Sequence, residues 1–372
     1  MTKRIVVEAS NVEKSLLDAY LKTRRTSLAD WFSDRVSEVT AEYQASRSDH
    51  ADAVTGSGSN HEKSSETVRT ELRALDWAFS ESDTGYLTHG VHPYPAKFIP
   101  QIPSTLIGHL SDPGDLVWDP FGGSGTTAVE AALMGRRVIS SDANPLSEVI
   151  GKAKVTRLDR GSEASLRRLA TSLEILGRNT DSLEEFAQEH ADALVMLVPT
   201  IPNAGKWFSK DTSRELALIR WHLARLGSVD AQVIAQCVLS RIIVRVSFQD
   251  GETRYASKPR PVERGAVLRT YTTELASHIA RLRAFAAAST SVDARFLTAD
   301  LRIDRVVPPN SVDLVVTSPP YPNATDYHLY HRFRLLWLGF NPNDLAKCEI
   351  GSHLRHQRES NGIDAYMAEM RI

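Results

Sequence analysis

The 372 residues carry a formal net charge of −2, with 42% hydrophobic and 24% charged residues, the profile of a globular chain with room for two or three domains. No apolar run reaches the roughly 18 residues that a membrane span needs, and the N-terminal "MTKRIVVEASNVEKS" is too short in apolar residues for a secretory leader. Two cysteines, Cys237 and Cys348, exclude a disulfide framework or a cysteine-rich metal centre, so the expected setting is the reducing cytoplasm, with no membrane contact.

In chain order, residues 1–45 show apolar residues at helical spacing and predict an N-terminal helical segment. Residues 46–66, "SRSDHADAVTGSGSNHEKSSE" with its flanks, are polar and rich in Gly and Ser, and predict a flexible linker. The pattern changes near Gly85. "DLVWDP" reads as a buried strand running into a glycine turn, "TAVEAALMG" as a helix stopped by Gly135, and "RVISSD" as a second strand. Residues 115–142 thus spell one βαβ unit of a parallel sheet. Residues 152–291 are mostly of helical pattern and predict an insertion, broken by the basic loop "QDGETRYASKPRPVERG". Strands resume at about 295–299 and 312–317, the second ending in "TSPPY". The core is therefore expected over 85–151 and 292–345, with 346–372 as a tail.

The turn "DPFGGSGTTAVEA" contains Gly123-x-Gly125-x-x-Ala128, and Asp142 ends the next strand. Glycines allow the sharp bend and a close ligand approach, the helix behind offers free N–H groups, and the acid suits two ribose hydroxyls. Strand, turn, helix, strand and acid in this order point to a nucleoside-type cofactor. A nucleoside triphosphate is disfavoured because no lysine follows the last glycine. A nicotinamide-dependent oxidoreductase remains open, although it leaves "TSPPY" without a use.

"DPFGGSGTT" resembles the S-adenosylmethionine loop of amino-directed DNA methyltransferases, and further segments resemble that family in order: "HPYPAKFIPQIP", "SSDANP", "TAD" and "TSPPY". The resemblance implies an α/β, Rossmann-like methyltransferase sheet and S-adenosylmethionine as cofactor. It further implies that His92, Tyr94 and Lys97 line the methionine end, and that Phe121, Gly123, Gly125 and Thr126 cradle the cofactor. Asp119 would orient the loop or meet the cofactor amino group, Asp142 the ribose, and Asp300 the adenine. No metal is implied, and the histidines show no HExxH spacing.

An exocyclic amino group is a weak nucleophile because its lone pair is delocalised into the ring. Two acceptors on its hydrogens localise that pair. Ser318 Oγ and the Pro319 carbonyl are the candidates, Pro319 and Pro320 fix the direction, and Tyr321 offers a stacking surface. By resemblance, the serine favours cytosine N4, with adenine N6 or an RNA base as the open alternative. A base in a duplex must flip out to reach this corner. DNA is then the expected partner. Between Gly205 and Thr270 there are 12 Lys plus Arg against 6 Asp plus Glu, and Arg254, Lys258, Arg260 and Arg264 are candidate phosphate contacts. Tyr327 and Arg332 are candidate base-stacking or phosphate contacts. The family's sheet has seven strands and only four are legible here. The expectations that follow are a fragment, a second polypeptide that completes the sheet, or a non-catalytic DNA-binding subunit.

Overall fold

The apolar run after Asp115 forms β1 (Leu116–Asp119), and the remaining strands are β2 (Arg137–Asp142), β3 (Ala294–Thr298) and β4 (Leu314–Val315). All pair in parallel in the order β3-β2-β1-β4, with Val117 opposite both Val138 and Leu314, and Ser140 opposite Phe296. This computed structural model describes residues 65–75, 77, 79–97, 99–252, 256–320, 326–352, 366 and 368–370. The helical segment expected over 1–45 lies outside the described residues. So does the linker expected over 46–66, except that Ser65 and Glu66 open a helix instead.

The helices are α1 (Ser65–Ala74), α2 (Gln101–Leu110), α3 (Thr126–Leu133), α4 (Pro145–Val155), α5 (Arg160–Arg178), α6 (Thr180–Glu189) and α7 (Ala191–Leu197). They continue with α8 (Ala204–Trp207), α9 (Lys210–Leu223), α10 (Val229–Val246), α11 (Ala266–Ala288), α12 (Tyr327–Tyr330), α13 (Arg332–Leu338) and α14 (Pro342–Cys348). Their starts follow from capping: the Asn144 side chain accepts from Leu146 N with Pro145 next in line, and Asp159, Ser209 and Ser228 cap α5, α9 and α10 in the same way. Gly135, at φ 74°, closes the α3 turn, as its residue type suggested.

Side chains alternate across each strand. The row Val117, Val138 and Phe296 packs with Val316 beneath Ala128 and Ala131 of α3. Gly151 of α4 reaches the same layer, where an added Cβ would stand 2.4 Å from the Phe296 ring. The alternate row faces the other way and is less covered. There Trp118 donates to Ser141 Oγ at 3.3 Å, while Leu297 is 40% and Val315 52% exposed. A parallel sheet ordinarily has both faces buried. Among the described residues this one is covered well on one face only, and β4 pairs on one edge only.

The helical insertion is not a separate body. One apolar cluster runs from Leu146 and Ile150 of α4 through Ile234 and Val238 of α10 and Leu275 of α11 to Phe333 and Trp337 of α13. The boundary expected at 151/152 falls inside α4 for this reason. The helix expected over 323–338 is broken at His331 into α12 and α13, and residues 321–325 lie outside the described set. Among the described residues no helix is long and apolar enough to cross a membrane.

Gly151→Ala tests the α4–sheet contact. Helix propensity favours alanine by roughly 1 kcal/mol, but overpacking costs about 1–3 kcal/mol. Urea unfolding should show a net loss, accompanied by a shift of the Phe296 environment.

Candidate active site

The carboxyl ends of β1, β2, β3 and β4 open onto one cleft of about 810 Å³, its mouth included. The glycine loop forms one side. Gly123 and Gly125 lie in the left-handed region at φ 49° and 74°, and a Cβ on Gly123 would stand 3.2 Å from the Tyr94 ring. A Cβ on Gly122 would fall 1.9 Å from Ser140 Oγ, so the loop lies directly on β2. The glycines are therefore required by backbone conformation and by close approach together.

Two carboxylates, the buried Asp119 and the half-buried Asp142, set this loop. Asp142 accepts from Gly123 N and Asn144 N, both at 2.8 Å, which ties the loop to the start of α4. Burial pushes its carboxyl up to about 6, against the pull of those backbone N–H groups. Asp119 accepts from Phe121 N at 3.2 Å, and burial pushes it up to about 6 as well, opposed by the Thr317 and Thr127 hydroxyls. Asp119 thus bonds the loop backbone and is not among the cleft-lining residues. Asp142 lines the cleft while it holds the loop.

Tyr94 lines the cleft, with its hydroxyl 3.0 Å from Ser147 Oγ, and Lys97 lines it while donating to the His89 carbonyl at 3.3 Å. Phe121, Gly123, Thr126 and Asp300 also line it. Arg302 binds the Asp300 carboxylate at 2.6 Å and holds it below the usual carboxylate range. Gly125 stands behind the loop against Gly151 rather than in the lining. His92 does not face the cleft. It is buried, with Nδ1 2.6 Å from the Pro93 carbonyl and Nε2 2.9 Å from Ser240 Oγ of α10, so it fastens the segment to the helical body.

Ser318 and Pro320 of the corner line the cleft; Pro319 is exposed outside the lining, and Tyr321 lies outside the described residues. The Pro320 carbonyl accepts from the Tyr366 hydroxyl at 2.8 Å. The opposite wall comes from Leu345, the last residue expected in the core, and from three residues expected to belong to a tail: Cys348, Glu349 and Ile350. Nothing in their local pattern marked them. Glu349 is 4% exposed, accepts from Tyr327 N, and meets His328 Nδ1 at 2.5 Å. Asp326, His328 and Glu349 offer ligand atoms within 4.8 Å of one another. The direct 2.5 Å contact between two of them is shorter than the separation that two donors at about 2.0–2.2 Å from one ion would take.

Three of the six expected DNA contacts have partners within the protein. Arg260 binds the backbone carbonyls of Arg245 and Ser247, and Arg264 lies 3.7 Å from Glu184 and from Asp211. Arg332 stacks over Trp207 at 4.6 Å and Phe333 at 4.2 Å. Arg260 and Arg264 remain exposed alongside these partners, and Arg332 is half-buried. Lys258 is exposed, Arg254 lies outside the described residues, and Tyr327 faces the cleft beside Tyr94 at 6.1 Å.

A glycine-cradled, carboxylate-lined cleft thus lies at the strand ends of a parallel sheet, with a Ser-Pro-Pro corner at its rim. A family model described as DNA methylase, N6_N4_Mtase, matches residues 11–148, which include the loop and Asp142. The Type II methyltransferase M.MvaI of Kocuria varians is 26% identical over 289 residues, 72% of this chain and 61% of that protein. M.MjaII of Methanocaldococcus jannaschii is 40% identical over 90 residues, 23% of this chain and 17% of its own. M.PvuII of Proteus hauseri is 40% identical over 70 residues, 18% of this chain and 21% of its own. The chain therefore spans about three-fifths of the length of M.MvaI and smaller shares of the other two. No solved structure matches it. These matches bear out the resemblance to the N4/N6 family of DNA methyltransferases, whose methyl donor is S-adenosylmethionine. The residues present fit that donor: a cradle that a Cβ would fill, a carboxylate at the second strand end, and Lys97 within the same cleft.

The two raised carboxyls give a pH signature. Their folded pKa of about 6 lies above the ordinary 3.8, so the folded state binds more protons between those values. Stability from these groups is lost as pH rises towards 6 and regained as it falls. Asp119→Asn, which removes one ionisation, should compare best with the parent near pH 7.5 and lose that relative advantage by pH 5. Urea unfolding at the two pH values reads the difference.

Proposed function

We propose that the chain is the cofactor-binding and catalytic part of a Type II DNA methyltransferase that methylates the N4 amino group of cytosine, in a restriction–modification setting. The observation that carries this reading is that the glycine loop, Asp142 and Ser318 line one cleft. Bound there, S-adenosylmethionine supplies an electrophilic methyl group. Ser318 Oγ and the Pro319 carbonyl accept from the amino hydrogens of a flipped base and localise the nitrogen lone pair. The double proline holds that acceptor direction before the base arrives, so little reorganisation is needed at reaction. Tyr321 and Tyr327 supply aromatic surface for the base, and Arg254 and Lys258 favour the phosphate backbone, in a salt-dependent manner.

The tests separate these parts. Titration calorimetry should show S-adenosylmethionine binding to the parent and to Ser318→Ala alike. Methyl transfer by Ser318→Ala should fall on the order of 10²-fold, the scale of one preorganised hydrogen bond at a reacting group. Mass spectrometry of digested DNA should find N4-methylcytosine; N6-methyladenine alone would move the substrate to adenine.

A second reading, a half-enzyme that needs further polypeptide, is favoured by the single-sided pairing of β4 among the described residues. Strands added beside β4, from a longer chain or a partner, would pair its free edge. Co-expression with a polypeptide that supplies those strands should raise thermal stability and methylation together. Turnover by the 372 residues alone within the ordinary range of about 1–10³ s⁻¹ would refute the need.

A further inference from the structure

The cleft lining is unusual in its charges. Lys97 is the only lysine or arginine among the described residues that line it, whereas three carboxylates do: Asp142, Asp300 and Glu349. Arg302 neutralises Asp300 at 2.6 Å. Neither Asp142 nor Glu349 has a lysine or arginine partner among the described residues; their bonds go to backbone N–H groups and, for Glu349, to His328. Glu349 is also held in one orientation, between the Tyr327 amide and the His328 ring, with its side chain 3% exposed. The buried Glu349 and the half-buried Asp142 face one cleft and repel each other, and Glu349 adds to the rise of Asp142.

We infer that Glu349 is a specificity-determining residue which makes the cleft prefer the cationic sulfonium donor over its neutral thioether product. This rests on the methyltransferase reading above. Of the donor's two cationic groups, the sulfonium rather than the α-ammonium is the one taken to face Glu349. Glu349 lines the same cleft as the Ser318–Pro320 corner, and Tyr366 binds the Pro320 carbonyl from the same C-terminal region. The methyl-bearing sulfur has to reach that corner, whereas the α-ammonium does not. Donor and spent product share adenine, ribose, carboxylate and ammonium, and differ in charge at sulfur alone. A fixed carboxylate there, in a site shielded from water, discriminates by charge and so favours exchange of spent product for fresh donor.

The experiment compares affinities of S-adenosylmethionine and S-adenosylhomocysteine by calorimetry in the parent and in Glu349→Gln. The donor should bind roughly tenfold more weakly to the variant, while the product stays within about twofold. Glu349→Met, of similar length and apolar, is the second variant should the glutamine form not fold, and the same ratio is read. Equal weakening of both ligands assigns Glu349 to the α-ammonium or to packing and overturns the inference. An unchanged ratio with unchanged affinities overturns it too. A parent protein that binds neither ligand removes the methyltransferase reading itself, and with it this inference.

Discussion

Asp142 is the joint on which the site depends. One carboxylate at the end of β2 receives the amide of Gly123 and the amide of Asn144, and so fixes the left-handed glycine turn relative to the start of α4. The arrangement is costly, because the group is half-buried and its ionisation is disfavoured. A fold selected for stability alone would place an apolar residue or a neutral acceptor there. Retention of a charge where burial opposes it is a mark of a binding site, and Asp119 repeats the mark one strand away.

What could be read in the sequence was what local chemistry determines. The four strands lie within a residue or two of their expected positions, except that β4 is reduced to Leu314–Val315 with Val316 still bonded to the Trp118 carbonyl. The glycine loop was legible because left-handed backbone and close approach both demand glycine. The C-terminal wall was not, because Glu349 reaches the cleft only through the packing of α12 and α14, and a lone acid after a short helix carries no pattern. The arginines show a different limit. Sequence shows a charge but not its partner, and Arg260, Arg264 and Arg332 spend theirs on carbonyls, carboxylates and an indole ring.

The helical insertion is a scaffold for the cleft as well as a continuation of the core. Arg241 of α10 binds the Gly90 carbonyl, and Arg281 of α11 binds those of Gly85 and Leu87. Ser240 meets His92. On the other side, buried Arg334 of α13 joins Glu252 of the basic loop at 2.6 Å, with Tyr330 on the same carboxylate. Both the segment carrying Tyr94 and Lys97 and the one carrying Tyr327 are therefore held by helices that contribute nothing to the cleft lining itself.

The position of that scaffold has a consequence for how the chain reaches its structure. β2 and β3 are neighbours in the sheet, yet residues 143–293 lie between them. Their pairing is a long-range closure, and its entropic cost is reduced only when the intervening helices have already collapsed into a body that brings Ala294 near Val138. The helices from α4 to α11 are then expected to form early, through local contacts, while the strands wait. During that interval β1 and β2 offer unpaired edges and an apolar face, which makes this the stage most exposed to wrong pairing with another copy.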